Sequence, residues 1–202
     1  MFDMAKIDEF MQTLERSSSD DELRRHFNDF NADYNLDIPA DPFSELYRDQ
    51  QFELYKALSG KAYSTTHEQT VFDIATSAVS PFPYCHGSCD TVGDQLMAIG
   101  FLIKALQLPK GAKILEFGPG WGNTTLMLAK MGFDVTCVDI EKNFCDLITE
   151  RASMEKLSVK VINGDFSEIE KIQTKFDAIL FFECFHHASD HIRLIGDRKS
   201  VV

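Results

Sequence analysis

The chain has 202 residues, enough for one full domain with an N-terminal extension, and its 44% hydrophobic and 26% charged residues are typical of soluble globular proteins. Its formal net charge of −12 argues against a surface that holds nucleic-acid backbones, which needs clustered Lys and Arg. The sequence predicts a cytoplasmic protein without a membrane partner. Its five cysteines have no regular spacing, and it contains neither a signal-peptide pattern nor an apolar run of about 20 residues.

The first 90 residues predict mainly helices. Two short helices are expected within residues 4–30, separated by the polar break from Ser17 to Asp20, which supplies a helix cap. Further helices are expected at about 43–58, 66–77 and 92–107, the last capped by Thr91. Residues 61–90 otherwise predict an ordered loop. We interpret residues 1–90 as a helical extension that serves as a substrate lid.

From Lys113 onward the pattern changes to alternating strands and helices. The expected strands are Lys113–Phe117, Asp134–Asp139, Ser158–Ile162 and Phe176–Glu183, with helices at about 123–131 and 142–156 between them. This alternation predicts a parallel sheet with crossover helices, an α/β fold of the Rossmann-like type. The fourth run, FDAILFFE, is apolar on both faces, as a strand buried on both sides would be.

A glycine-rich turn follows the first expected strand, in the segment ILEFGPGWGN. Gly118, Gly120 and Gly122 alternate after the acidic Glu116, and the turn opens directly into a helix N-terminus, where backbone can approach a ligand closely. A nicotinamide-binding fingerprint needs glycine at the first, third and sixth positions, but the sixth position here is Asn123. The pattern E-x-G-x-G-x-G instead resembles the first motif of class I S-adenosylmethionine-dependent methyltransferases.

Later segments extend this resemblance from about residue 112 to 195. Asp139 ends the second strand, where a carboxylate can accept hydrogen bonds from both ribose hydroxyls of a nucleoside cofactor. The resemblance implies that the following Ile140 also contacts the cofactor, that Asp165 contacts the adenine amino group and that Phe166 packs on the adenine ring. It implies S-adenosyl-L-methionine as the cofactor, with Glu116 near its methionine moiety; capping of local backbone amides is the alternative role for Glu116.

Methyl transfer from a sulfonium needs alignment and water exclusion, and needs a base only for an acceptor that must lose a proton. His186, His187 and Glu183, beyond the fourth strand, are candidates for that base, with packing in the loop as the alternative role. Tyr84 and His86 are candidates for lining the acceptor site. The aromatic motif of enzymes that methylate amino groups of nucleic acids is absent, which favours a small-molecule or biosynthetic-intermediate acceptor.

No metal site is expected. His187 and His191 are four residues apart, a spacing that can bind metal, but no third ligand is evident and Asp190 resembles a helix cap. The cluster from Cys85 to Cys89 lacks the second pair that a zinc site needs, and a tight turn is the preferred interpretation. Trp121 is expected to be a packing or lid residue.

The resemblance also implies seven strands in the order 3-2-1-4-5-7-6, of which only four can be placed. We therefore expect a truncated domain over residues 91–196, with the fourth strand as an exposed apolar edge and weak or absent cofactor binding and activity. Residues 197–202 (DRKSVV) are interpreted as a non-native tail, because one reading frame of a common sequencing adapter encodes them. The alternatives left open are an NAD-dependent oxidoreductase and a non-catalytic binding module with a methyltransferase-like fold.

Overall fold

The computed structural model, which describes residues 4–31, 39, 41–60, 70–188 and 190–196, contains a parallel sheet of four strands. The strands are β1 (Lys113–Phe117), β2 (Asp134–Asp139), β3 (Val159–Asn163) and β4 (Ala178–Phe181), in the spatial order β3-β2-β1-β4. All three pairings are parallel, with Phe117 opposite both Val138 and Phe181. The carboxyl ends of the strands therefore meet at one edge, where ligands bind in open α/β sheets.

Helices precede the sheet and alternate with its strands. They are α1 (Met4–Glu15), α2 (Asp20–Asp29), α3 (Glu45–Ser59), α4 (Ile74–Val79), α5 (Cys89–Leu106), α6 (Asn123–Lys130), α7 (Lys142–Met154), α8 (Glu168–Lys171) and α9 (His191–Gly196). The expected α/β Rossmann-like architecture with an N-terminal helical region is confirmed. None of the described helices is long and apolar enough to cross a membrane.

Two apolar clusters hold the sheet between its helices. On one face, Ile114 and Val135 are fully buried with Leu128 of α6, and α5 packs against them through Ile103 and Leu106. The opposite face carries a second cluster that includes Leu115, Phe117, Val138, Phe176 and Cys184, with α8 packed against it. Alternate residues of β1 thus enter opposite clusters, as the period of two in a strand requires.

The contacts within the chain divide it into two units, Met1–Ser64 and Thr65–Val202, whereas the sequence placed the division at residue 90. Within the first unit, the ring of Phe10 in α1 stacks on Phe30, with centroids 3.8 Å apart, and meets Phe27 of α2 edge-on. The helices begin at the expected polar signals, since Ser19 accepts a hydrogen bond from the Glu22 amide and Gly60 ends α3 in the left-handed conformation. The lid and cofactor-domain roles of the two parts stay predictions.

Several element boundaries differ from the sequence prediction. Helix α4 starts only at Ile74, because Asp73 accepts a hydrogen bond from the Thr76 amide and begins the helix there; residues 61–69 lie outside the described residues. Helix α5 starts at Cys89 and is capped by Ser88, which accepts from the Thr91 amide, so Thr91 was the wrong cap. Strand β3 begins and ends one residue later than predicted.

Strand β4 is also shorter than the predicted Phe176–Glu183. Its extended conformation ends before Glu183, whose φ of +56° turns the chain. Among the described residues β4 pairs only with β1 and lies at the edge of the sheet, where its four residues are half-buried. A mostly apolar groove of about 440 Å³ lies between this strand and α5; its lining residues are Ala98, Phe101, Leu102, Ala105, Leu106, Leu180 and Phe182. The proposed tail, residues 197–202, lies outside the described residues.

Candidate functional site

The glycine turn connects the end of β1 to the start of α6. Gly118 has a φ of +58°, and a Cβ atom added to it would lie 2.5 Å from the Cβ of Cys184, so no other side chain fits there. Gly122, with a φ of +75°, takes the N-cap position of α6. The turn therefore packs tightly against Cys184, three residues beyond β4, on one side and opens into a helix N-terminus on the other.

Gly120, at the middle of the turn, has more open space around it than Gly118 and Gly122 have. Its φ is +52°, yet a Cβ added there would meet no atom within 4 Å. The peptide N–H of Gly120 donates to Oδ2 of Asp139 at 3.0 Å. The open space at Gly120 therefore lies beside the carboxylate that ends the neighbouring strand, at the carboxyl edge of the sheet.

Asp139 is almost fully buried, with 6% of its surface exposed. Its second oxygen, Oδ1, accepts a hydrogen bond from the Glu141 amide at 2.9 Å. Burial raises the pKa of Asp139, while the two backbone amides act in the opposite direction by stabilising the charged form. Each oxygen uses one lone pair on the backbone and keeps another, which is the capacity that binding two ribose hydroxyls requires.

Glu116 lies beneath the turn on β1 and is 1% exposed. Its Oε2 accepts a hydrogen bond from the Thr125 hydroxyl at 2.5 Å. The partner is thus a side chain of α6, whereas the alternative role predicted for Glu116 was to cap backbone amides. Burial raises the pKa of Glu116 to about 7; the Thr125 hydrogen bond lowers it and the nearby Asp139 raises it further. A buried carboxyl group with a raised pKa therefore lies on β1, two residues before the glycine turn begins at Gly118.

The end of β3 carries the third predicted segment. The Asn163 side-chain amide donates to the carbonyl oxygens of Asp139 and Ile140, both at 3.0 Å, and fixes the segment against the end of β2. Asp165 is exposed and accepts a hydrogen bond from the Ser167 amide at 2.7 Å. Hydrogen bonding to the Ser167 side chain, and to a smaller extent to this amide, lowers the pKa of Asp165. The Phe166 ring is half-buried and packs 5.5 Å from Phe117 and 5.8 Å from Phe181. Ile140 is 38% exposed at the same edge of the sheet.

The candidate bases lie beyond β4. Glu183, His186 and His187 are all exposed, and the two histidines occupy a 3-10 turn, with their rings 4.2 Å apart. His187 therefore lies outside α9, which begins at His191 and is capped by Asp190. In the described part of the chain, no three His, Cys, Asp or Glu side chains are grouped as a metal site would require.

The segment from residue 70 to 87, which we term the strap, crosses the start of α7 and the glycine turn. The Thr70 amide donates to Glu141, and Asn143 donates to the Thr70 carbonyl at 3.3 Å. The Phe72 ring lies 4.9 Å from Trp121 and 5.3 Å from Phe144, so Trp121 packs against the strap as expected. Farther along the strap, Tyr84 and His86, the predicted acceptor-lining residues, stand exposed in a 3-10 turn.

Sequence reasoning missed the residues that fasten the strap to the turn. Arg151 of α7 is 9% exposed, and its Nη1 donates to the Trp121 carbonyl and, at 2.9 Å, to Oδ1 of Asn123. The Nδ2 of Asn123 then donates to the carbonyl of Phe82 in the strap at 2.7 Å. A signal was present, because Arg151 recurs at helical spacing with the buried Leu147 and Ile148 on the apolar side of α7.

Comparison with known proteins identifies the part of the chain that contains the sheet. Residues 114–199 match the family model described as "Methyltransferase domain". This segment belongs to the class I S-adenosylmethionine-dependent methyltransferases. The methyltransferase segment contains the glycine turn, Asp139, Asp165 and both candidate histidines, whereas the strap and the N-terminal helices lie outside it.

Two curated relatives and one solved structure illustrate the similarity of the methyltransferase segment. The Ubiquinone biosynthesis O-methyltransferase of Coxiella burnetii is 31% identical over 93 residues, which cover 46% of this chain and 40% of that protein. The S-adenosyl-L-methionine-dependent Diels-Alderase iliD of Neonectria sp. is 34% identical over 77 residues, 37% of this chain and 32% of that protein. A SAM-dependent methyltransferase from Aquifex aeolicus superposes with a TM-score of 0.48 at 20% identity, covering 65% of this chain and 68% of that chain. The matches thus span about two fifths or less of the length of these curated relatives.

Proposed function

We propose that this chain binds S-adenosyl-L-methionine at the glycine turn and transfers its methyl group to a small-molecule or biosynthetic-intermediate acceptor. The observation that supports it most is the contact between Asp139 and the Gly120 amide, beside the one position of the turn where an added Cβ meets nothing. A nucleoside can approach the backbone there while its ribose hydroxyls donate to the free lone pairs of the carboxylate.

The remaining cofactor contacts follow from the same edge of the sheet. In the proposal, Gly118 and Gly122 shape the turn, and Glu116 lies beneath it on the side of the methionine moiety. Ile140, Asp165 and Phe166 approach the adenine, with Asp165 accepting from its amino group. The exposed positions of Ile140 and Asp165 and the half-buried ring of Phe166 support this assignment, since each has surface to offer to a ligand.

The cofactor supplies an already activated methyl group on a positively charged sulfur. The chain's own part is to orient the acceptor and to keep water away from the carboxyl edge of the sheet. The strap supports this role because Phe72, Trp121 and Phe144 form an apolar cover beside the turn. Glu183, His186 or His187 would remove a proton only from an acceptor such as a hydroxyl, which loses its proton on methylation.

A small acceptor is supported by two observations. The net charge of −12 disfavours a nucleic-acid substrate, and one relative is, by name, an O-methyltransferase of ubiquinone biosynthesis. In the proposal Tyr84 and His86, exposed on the strap, line the acceptor site. The cytoplasmic location and the absence of membrane and nucleic-acid partners belong to the same proposal.

A second candidate function uses the cofactor without transferring its methyl group. The observation that favours it is the Neonectria relative, which is named for a cofactor-dependent cycloaddition. In that case the bound cofactor would act through its positive charge and would not be consumed. Formation of S-adenosylhomocysteine during incubation with acceptor candidates separates the two functions, since only methyl transfer produces it.

Calorimetric titration of the full chain tests the binding site. We expect S-adenosylhomocysteine to bind with low affinity, NAD to give no heat, and Asp139→Ala to weaken binding by about 1–3 kcal/mol, because the ribose hydroxyls lose a charged partner. Asp134→Ala is the matched control, since Asp134 is exposed at the opposite end of the same strand. Tight NAD binding without a response to the adenosyl ligand would establish the oxidoreductase alternative, and equal affinities for both variants would remove Asp139 from the site.

A further inference from the structure

We propose that Arg151 is a positioning residue that holds the strap against the glycine turn through Asn123. Its consequence for cofactor binding rests on the proposed function; its hold on the strap does not. Arg151 belongs to α7, Asn123 begins α6 and Phe82 lies in the strap, so one hydrogen-bonded chain joins three separate segments. The Asn123 side chain is the middle link between the other two.

The two ends of the Asn123 amide have different partners. Its oxygen accepts from the Arg151 guanidinium, and its nitrogen donates to the Phe82 carbonyl at 2.7 Å. The arginine therefore fixes which way the amide faces, because a reversed amide would point its N–H₂ group at a cation and its oxygen at a carbonyl. With the guanidinium in place, only the orientation that binds the strap is satisfied.

The same guanidinium nitrogen also donates to the carbonyl of Trp121, within the glycine turn itself. Arg151 is buried, both of these hydrogen-bond acceptors are uncharged, and desolvation lowers the pKa of its guanidinium. Glu155, whose negative charge acts against this lowering of the Arg151 pKa, forms a salt bridge with Lys130 at 2.5 Å. The hydrogen bonds of this buried cation go to a carbonyl of the turn and to a side-chain amide. They fix the positions of those two groups, which an ion pair with an acid would not do.

The strap has a second anchor at its other end, which makes its hold cooperative. Thr70 is bonded to Glu141 and Asn143 at the start of α7, and Phe72 packs on Trp121 between the two anchors. Release at Phe82 would leave the aromatic cover fastened on one side only. A ligand that needs the cover would then bind more weakly, because it must order the strap as it binds.

Asn123→Asp tests the proposal most sharply, because it keeps the acceptor for Arg151 and replaces the donor to Phe82 with an oxygen. An aspartate in the first turn of α6 is favourable toward the helix dipole, so the free energy of unfolding should not fall. We expect chymotrypsin to cleave after Phe72 about tenfold faster and S-adenosylhomocysteine to bind about tenfold more weakly, roughly the contribution of one hydrogen bond. The neutral 5′-methylthioadenosine should show the same loss, which excludes charge repulsion as its cause.

Arg151→Met and Arg151→Lys complete the set, with Arg25→Met, an exposed arginine of α2, as the matched control. Trp121 is the only tryptophan of the chain, so its emission should shift to longer wavelength when the strap leaves it. We expect that shift in Arg151→Met, a smaller one in Arg151→Lys and none in the control. Wild-type emission, cleavage rate and ligand affinity in Asn123→Asp would overturn the proposal. If the wild-type chain itself binds no adenosyl ligand, the proposed function fails, while emission and cleavage still decide whether Arg151 holds the strap.

Discussion

Replacing Glu116 with glutamine should change how the stability of the chain depends on pH. The carboxyl group is buried and its pKa is raised from 4.5 to about 7, so the folded state prefers the protonated form more strongly than the unfolded state does. The stabilisation is fully present below pH 4.5 and is lost as the pH rises toward about 7. Glu116→Gln keeps the shape and a polar partner for Thr125 but cannot ionise, so this loss should vanish.

The size of the effect follows from the interval between the two pKa values. Each pH unit between them corresponds to about 1.4 kcal/mol, so the wild-type chain should lose about 3 kcal/mol relative to Glu116→Gln between pH 4.5 and 7.5. Above the folded-state pKa the difference should stay constant. The two proteins contain the same other titrating groups, so most of the remaining pH dependence cancels in the comparison.

Urea unfolding at a series of pH values measures this difference. Trp121 lies in the unit that contains the sheet, so its fluorescence reports the unfolding of that unit. Thr125→Val is an informative companion, because the Thr125 hydroxyl lowers the pKa of Glu116; without it, the loss should continue to higher pH. Parallel stability curves for wild type and Glu116→Gln would refute the reasoning and show that burial does not hold the proton on Glu116.

Three further substitutions separate packing, ligand approach and backbone strain. Gly118→Ala should destabilise the chain by about 2–4 kcal/mol, because the new Cβ would lie 2.5 Å from the Cβ of Cys184. Chemical denaturation should show that adding Cys184→Gly restores part of the lost stability. Gly120→Ala has room for its Cβ and should cost only about 1 kcal/mol for its positive φ, yet calorimetry should show much weaker adenosyl binding; unchanged affinity would contradict the placement of the ligand. Glu183→Gly and its control Lys156→Gly should each stabilise the chain by about 1 kcal/mol, because both residues have a φ of +56° that glycine adopts without strain. If Glu183 is the base, only Glu183→Gly should lose methyl transfer in an assay with acceptor.

The sheet and the turn could be predicted from sequence because their signals are local. Strands β1 and β2 match their predicted bounds, since each is an apolar run that ends at a glycine or an acid. The strap could not be predicted, because its contacts join Phe82 to Asn123 and Thr70 to Glu141 across 41 and 71 positions. Propensity also misplaced the start of α4, where a single side-chain cap at Asp73 decided the boundary.

The orientation of the Asn123 side chain could not be predicted from sequence either, because it depends on residues far away along the chain. Its sequence position argued only against a nicotinamide fingerprint, and its bonds to Arg151 and Phe82 depend on how α7 packs against α6. The position of Asp139 could be predicted from the sequence, because the last residue of a parallel strand lies at the carboxyl edge of the sheet. Residues that act through other residues carry no comparable local signal.

The five cysteines fall into two classes that allow selective chemical labelling. Cys137, Cys145 and Cys184 are buried, and desolvation raises the pKa of each thiol, to about 11 for Cys145 and about 12 for Cys184. Cys85, on the strap, and Cys89, two residues beyond it, are exposed. Because thiolates are the reactive species, a maleimide dye at neutral pH should attach only to these two sites in the folded protein. A fluorophore there and Trp121 as its energy donor would then follow the opening of the strap in solution without removal of any native cysteine.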